Sequence, residues 1–213
     1  MRIYIQVNCQ NSYKMNNNLI SLSEEPISLF EKWYAQATKA EINDPNAMNL
    51  STVCENNKPS SRIVLLKSFN KHGFIFYTNS SSRKGKTINN NKFVSLNFHW
   101  KSILKQVRIE GSASIIEESI SDEYFNSRPF ESRVGAWASS QSSFLKSRSE
   151  LLKKIDEIKI KFTKDTIYRP KFWNGYIVKP DLIEFWQDMP YRLHDRVEFK
   201  KTKKGWESRN LYP

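Results

Sequence analysis

The sequence predicts a mainly β fold with flanking helices, an α+β domain whose antiparallel sheet closes into a barrel. Three observations carry this. Short runs rich in β-branched and aromatic residues recur through the middle and the end of the chain. Turn residues, not long helices, separate most of them, which favours hairpins over βαβ units. In one run Val107, Ile109 and Gly111 alternate with Gln106, Arg108 and Glu110, the two-residue period of a strand with one buried face.

Residues 1–22 are polar and Asn-rich, a segment expected to be mobile or to order only against a partner. A single domain then covers 23–213, because no Pro/Gly/Ser-rich linker divides it. Ser23, Glu24, Glu25 and Pro26 read as a helix start, and Leu29, Phe30, Trp33, Tyr34 and Ala37 follow on one helical face. MNLSTVC (48–54), SRIVLLK (61–67), GFIFYT (73–78), NKFVSLNFHW (91–100) and ILKQVRIEGSASII (103–116) read as strands. Asn56-Asn57 and the stretch from Asn70 to Gly73 supply turns. A helix is expected over Ile120 to Ser127 and a longer one from about Phe144 to Phe162. The polar stretch 127–143 reads by itself as a flexible loop. The chain ends in strands: YIVKP, LIEFWQ, RVEFK and GWESRNL.

Composition excludes several classes. Hydrophobic residues make up 38% and aromatic residues 13%, with six Trp and thirteen Phe, enough for a core rich in flat side chains. The formal charge is 34 − 22 = +12, which invites a nucleic-acid partner, yet the cations are scattered. The densest group, Lys200, Lys201, Lys203 and Lys204, falls at a turn, so no nucleic acid is expected. Cys9 and Cys54 alone build neither a disulfide framework nor a zinc site, and no metal is expected. Cys54 ends an apolar run and reads as a small core residue. The first residues lack a signal-peptide core, and no stretch approaches a membrane span. The cytoplasm is the expected compartment.

There is no Gly-rich phosphate loop, nucleophile elbow or metal-spaced histidine pair. His72 in a turn and His99 in a strand read as structural; only His194, in RLHDR, has a dense polar context. Four segments carry convergent donors. Arg62 and Lys67 bracket four apolar residues, as a buried strand with solvated ends would also do. Arg83 and Lys84 stand at a helix start, where free N–H groups favour an anion, or simply form a basic turn. SRPFESRVGAWASSQSS (127–143) mixes Arg, Ser, Gly and Gln around Trp137. In RLHDR, Arg192, His194 and Arg196 would share one side of an extended strand. Together these segments can hold two phosphate-bearing molecules.

Taken in order, RIVLLK, FYTN, SRKGK, KQVRIEG, YFNSRP, SRVGAWAS-x-QS, FWNGY, IEFWQ and RLHDR resemble the pyridoxine (pyridoxamine) 5′-phosphate oxidase family, from Pro26 to the final RNLYP. The resemblance implies an FMN-binding split β-barrel, a homodimer with FMN at the subunit interface, and oxidation of pyridoxamine or pyridoxine 5′-phosphate by O2. The products would be pyridoxal 5′-phosphate and hydrogen peroxide, with ammonia from the amine. By the same resemblance, FMN falls to Arg62, Ile63, Val64, Leu65, Leu66 and Lys67, to Tyr77, Thr78, Arg83 and Lys84, and to Gln106, Gln141, Ser142, Trp186 and Arg196. The substrate falls to Lys67, Tyr124, Arg128 and Ser132 at its phosphate, with Arg192 and His194 as catalytic residues over the ring. One departure stands near the N-terminus. The family's Arg-rich segment before a lid tyrosine corresponds to CQNSYKMNNNL, which keeps Tyr13 without an arginine immediately before it, so that either Arg2 and Lys14 substitute or the lid works less well. Two other functions stay in view: a different FMN enzyme on the same barrel, and a non-catalytic binder of B6 phosphate or of nucleic acid that uses the +12 charge.

Overall fold

The structure, a computed structural model, describes residues 19–213. Tyr13, Arg2, Lys14 and Cys9, and with them the expected lid, lie outside the described residues. Helix α1 (Pro26–Ala40) starts where Pro26 pre-sets the backbone, and the Glu25 carboxylate accepts from the Ser28 N–H at 2.9 Å. Leu29, Phe30, Trp33 and Ala37 are buried, and Phe30 meets Phe69, Phe74 and Phe98 edge-on at 4.9, 4.9 and 5.2 Å. The predicted stripe is therefore core.

Nine strands form one antiparallel sheet among the described residues. They are β1 (Ala47–Val53), β2 (Pro59–Leu65), β3 (Ser68–Asn70), β4 (Gly73–Asn79), β5 (Phe93–Trp100), β6 (Lys105–Ile115), β7 (Trp173–Gln187), β8 (Asp195–Thr202) and β9 (Gly205–Asn210). The order is β2-β1-β5-β6-β7-β4-β3, with β8 and β9 continuing from β7. The two ends of that path, β2 and β3, belong to one chain segment separated only by Leu66 and Lys67. The Leu66 N–H donates to the Asn46 carbonyl and the Lys67 N–H to the Ile75 carbonyl, each at 2.8 Å. The sheet therefore curls until its edges meet at this seam, which leaves few unpaired edge groups. Alternate residues fill the interior: Leu96, Phe98 and Trp100 from β5, Val107 and Ile109 from β6, Tyr176, Val178, Ile183 and Phe185 from β7.

The sequence reads YIVKP and LIEFWQ as two strands; the structure makes them one. Pro180 has no N–H to give the ladder, and a bulge opposite Glu110 and Gly111 absorbs it, pairing Glu110 with Leu182 and Gly111 with Pro180. Five helices flank the sheet among the described residues: α1, α2 (Arg83–Asn90), α3 (Glu118–Ser127), α4 (Phe130–Ala138) and α5 (Arg148–Lys161). Helix α4 replaces the expected flexible loop; its Val134 packs with Phe162 and Ile167 in a second small core. Helix α5 begins later than Phe144, at the Ser147 cap, whose hydroxyl accepts from the Glu150 N–H.

Two further expectations are corrected. RLHDR is not an extended strand. Pro190 to Arg192 form a tight turn in which Tyr191 and Arg192 have φ of 59° and 61°, and β8 starts only at Asp195. Cys54 is not core: it is partly exposed, and its thiol donates to Asn56 Oδ1 and to the Lys58 carbonyl across the β1–β2 turn. No helix of the described residues is long and apolar enough to cross a membrane.

Candidate active site

The seam, the end of β4 and the helices α2 to α4 enclose a cavity of about 860 Å³. Its walls include Arg62, Ile63, Val64, Leu65 and Lys67 from the seam, Tyr77 and Thr78 from β4, Lys84 from α2, Tyr124 and Arg128 from α3 and its end, and Ser132 and Gln141 beyond. Most of the predicted residues thus meet in one place.

One end of the cavity is cationic. The Arg62 guanidinium donates to the Leu50 carbonyl at 3.1 Å, to Thr52 Oγ1 at 2.9 Å and to Ser60 Oγ at 2.8 Å. Burial, and then the charge of Arg83, lower its pKa. Lys84 is only 9% exposed, and its ammonium donates to Gln141 Oε1 at 3.0 Å and Thr78 Oγ1 at 3.3 Å. Burial, and then Arg62, pull the Lys84 pKa down. Among the described residues no carboxylate forms an ion pair with Arg62, Arg83 or Lys84. Arg83 and Lys84 open α2 behind the Ser82 cap, where N–H groups converge. The chemistry of this end fits a phosphate.

The other end is aromatic. Tyr77 stacks on Tyr124 at 4.1 Å and on Trp173 at 5.1 Å, and the Arg128 guanidinium lies 4.8 Å from the Trp173 ring centre. Burial, then Tyr124 and Glu123, raise the Tyr77 pKa. Burial lowers that of Arg128, which Tyr124 opposes. Arg128 Nη1 is buried without a hydrogen-bond partner, an uncommitted donor beside Lys67 and Ser132. A second anion fits here. Arg169 fixes this wall, donating to Asp122 at 2.6 Å, to Asn174 Oδ1 at 2.9 Å and to the Trp173 carbonyl at 3.0 Å, which ties α3 to the start of β7.

Not every predicted residue reaches the cavity. Leu66, between β2 and β3, points into the core at 3% exposure, while Leu65 and Lys67 on either side of it line the cavity. Arg83 lines an adjoining hollow of about 370 Å³ with Glu55 and Lys86. Ser142, exposed and with φ of 70°, is not part of the cavity wall. Gln106, Trp186 and Arg196 line a separate shallow pocket of about 260 Å³ with Arg108 and Glu184. His194 leans on Trp186 at 4.6 Å between ring centres, with Asp188 Oδ1 2.9 Å from its Nδ1. Arg192 is exposed on the turn just before it. Along β7, Gly175 pairs with Tyr77 and Trp186 pairs with Gln106. The two groups are therefore eleven residues apart on one strand, about 36 Å of contour at roughly 3.3 Å per residue.

Sequence reasoning missed Trp173, which lines the cavity, and Glu184, which holds two arginines. Trp173 stands in the FWNGY segment, where its place at the head of a strand was the only signal. Nothing in the sequence marks Glu184, since its partners are set by strand pairing.

The model of the pyridoxamine 5′-phosphate oxidase family matches residues 34–162, and that of the pyridoxine 5′-phosphate oxidase C-terminal dimerisation region matches residues 173–213. The pyridoxine/pyridoxamine 5′-phosphate oxidase of Pelagibacter ubique is 46% identical over 97% of this chain and 100% of its own length. That of Actinobacillus succinogenes is 49% identical over 89% of this chain and 90% of its own. Among solved structures, PhzG from Burkholderia lata, in complex with tetrahydrophenazine-1-carboxylic acid, superposes with a TM-score of 0.83 at 31% identity, covering 89% of this chain and 93% of that one. A related FMN-binding protein of Nostoc punctiforme shares the fold, with a TM-score of 0.72 at 14% identity over 90% of this chain and 100% of its own.

Proposed function

The chain belongs to the pyridoxamine 5′-phosphate oxidase family, and from that premise we propose that its cavity holds FMN beside the phosphorylated substrate, with a second copy of the chain completing each site. The enzyme is an oxidoreductase of vitamin B6 metabolism. It oxidises pyridoxamine 5′-phosphate and pyridoxine 5′-phosphate with O2 to pyridoxal 5′-phosphate, releasing hydrogen peroxide and, from the amine, ammonia.

The observation that carries the site assignment is the presence of two cationic ends, neither neutralised by a carboxylate, in one cavity with an apolar wall. Arg62 and Lys84 take the FMN phosphate, with Thr78 and Gln141 as neutral partners, while Arg83 from the adjoining hollow and Ser142 from outside the wall would have to turn toward it. Ile63, Val64 and Leu65 shield the flavin ring from water. Lys67, Tyr124, Arg128 and Ser132 take the substrate phosphate. FMN supplies the two-electron acceptor that no side chain provides, passing electrons on to oxygen; the protein supplies position and field.

The remaining residues come from the partner. The cavity and the group of Gln106, Trp186 and Arg196 line separate pockets, up to roughly 36 Å apart along β7, so one chain does not bring them together. The match of residues 173–213 to a dimerisation region supports a homodimer in which that group faces the other chain's cavity. Gln106 and Arg196 then meet the polar edge of the flavin, while Arg192 and His194 hold the substrate so that C4′ faces it. The exposure of Arg192 on a left-handed turn suits a side chain that works across an interface. Tyr13, outside the described residues, would close over the substrate.

Purified protein should be yellow, and pyridoxamine 5′-phosphate in air should yield peroxide and an aldehyde. Flavin without turnover on either vitamer would refute the substrate assignment. Colourless protein that FMN fails to reconstitute would refute the flavin assignment.

A further inference from the structure

The arginines around the site are held in different ways. Glu184, 3% exposed, takes two donors from Arg196 at 2.9 and 2.7 Å and one from Arg108 at 2.6 Å. Arg169 is clasped by Asp122, and Arg62 by carbonyl and hydroxyl oxygens. Arg128 has no hydrogen-bond acceptor and no carboxylate among the described residues, and its Nη1 is buried. What it has is aromatic faces, Trp173 at 4.8 Å and Phe125 at 5.8 Å from the guanidinium carbon. A ring face attracts a cation through its quadrupole without occupying any N–H, whereas a carboxylate would take the donors and cancel the charge. Trp173 is itself immobilised. It is 8% exposed, stacked on Tyr77 and edge-on to Phe125 at 5.3 Å, and its backbone N–H donates to the Pro170 carbonyl at 2.8 Å.

We propose that Trp173 is the positioning residue of the substrate's anion subsite, holding the Arg128 guanidinium by its ring face so that the N–H donors stay uncommitted and favour a phosphate monoester over an uncharged alcohol. This rests on Arg128 being a substrate-phosphate ligand. A flat, delocalised cation suits the arrangement, and tryptophan is the strongest of the aromatic partners.

The test uses FMN-loaded enzyme in three variants, Trp173→Leu, Trp173→Phe and Arg128→Ala. The readouts are flavin content, kcat, KM for pyridoxamine 5′-phosphate, and the inhibition constant of inorganic phosphate. Trp173→Leu should raise KM and the phosphate inhibition constant together by about tenfold, with flavin content and kcat little changed; Trp173→Phe should raise both by about threefold. If Arg128→Ala moves neither constant, the phosphate role of Arg128 fails, and the proposal with it. If Arg128→Ala raises both while Trp173→Leu leaves both within about twofold, the role of Trp173 alone is overturned. A fall in kcat at unchanged KM, in either tryptophan variant, also overturns it. Should leucine cost the fold or the flavin, Trp173→Phe decides: a joint rise at full flavin content supports the role, and unchanged constants overturn it.

Discussion

Mixing two inactive variants should restore activity, and by a calculable amount. Arg128→Ala disables the cavity half of a site and Arg192→Ala the half carried beyond β7, which are separated by most of that strand's length. Losing a charge-assisted hydrogen bond costs about 1.5–3 kcal/mol, roughly a 10- to 150-fold loss in kcat/KM, so each parent retains under about a tenth. In a mixed dimer, one site receives both lesions and the other receives none. Random pairing makes about half the dimers mixed, so about a quarter of all sites are intact. Differently tagged chains, co-expressed or unfolded and refolded together with FMN, would be assayed for peroxide at low pyridoxamine 5′-phosphate. Recovery to about a quarter of wild-type activity is expected. A mixture never exceeding the average of its parents would show that each site lies within one chain.

Two other perturbations read the energetics directly. Lys84→Met removes a buried cation that faces Arg62, so it should weaken FMN binding by roughly 10- to 150-fold without lowering the melting temperature of the flavin-free protein; clear destabilisation of that form would contradict the charge argument. Because burial lowers the Lys84 pKa, the anion-free folded state sheds its proton before the unfolded chain does. Its stability should therefore rise with pH through that window, while the stabilisation by added FMN should decline; a thermal shift with FMN that stays flat from neutrality to the ordinary lysine range would refute this. Arg169→Ala strips Asp122 and Asn174 of their buried partner and should cost about 3 kcal/mol in urea unfolding, at the low end for a broken buried pair because Asp122 is half-exposed. A loss below about 1 kcal/mol would show the clasp to be incidental.

The strands were most legible where one face is buried, as in β1, β5 and β6, because there composition and the two-residue period survive folding. Helix α1 was legible for the parallel reason: Leu29, Phe30, Trp33 and Ala37 keep the helical period. Helix α4 was not. Its few buried groups, Val134 and Ala138 with the Arg133 side chain, lie among serines and a glycine that read as loop. Pro180 broke β7 in the sequence because only a bulge in β7 itself, opposite Glu110 and Gly111, makes it tolerable. Of the site, the Arg62 to Lys67 run and the Arg83-Lys84 pair showed cations at strand and helix ends, but nothing local revealed that they converge. The turn at Tyr191 and Arg192 was hidden because left-handed backbone at non-glycine residues leaves no compositional trace.

The net charge of +12 takes on a different meaning once the partners are known. Cations that hold the fold together are paired: Arg169 with Asp122, Arg108 and Arg196 with Glu184, Arg209 with Glu198. Those facing the large cavity are not, and Arg62, Lys84 and Arg128 all have pKa values lowered by burial. Half-buried like charges without counter-ions disfavour the folded, ligand-free state. An anion binding only the folded state offsets that penalty, and the gain grows with the logarithm of its concentration over its dissociation constant. The uncompensated charge is thus the part of the fold that its ligands complete. A carboxylate introduced at Ser132 should therefore stabilise the empty protein while excluding phosphate. An opposite outcome, destabilisation with phosphate still bound, would mean that the cations at that end are already balanced by water.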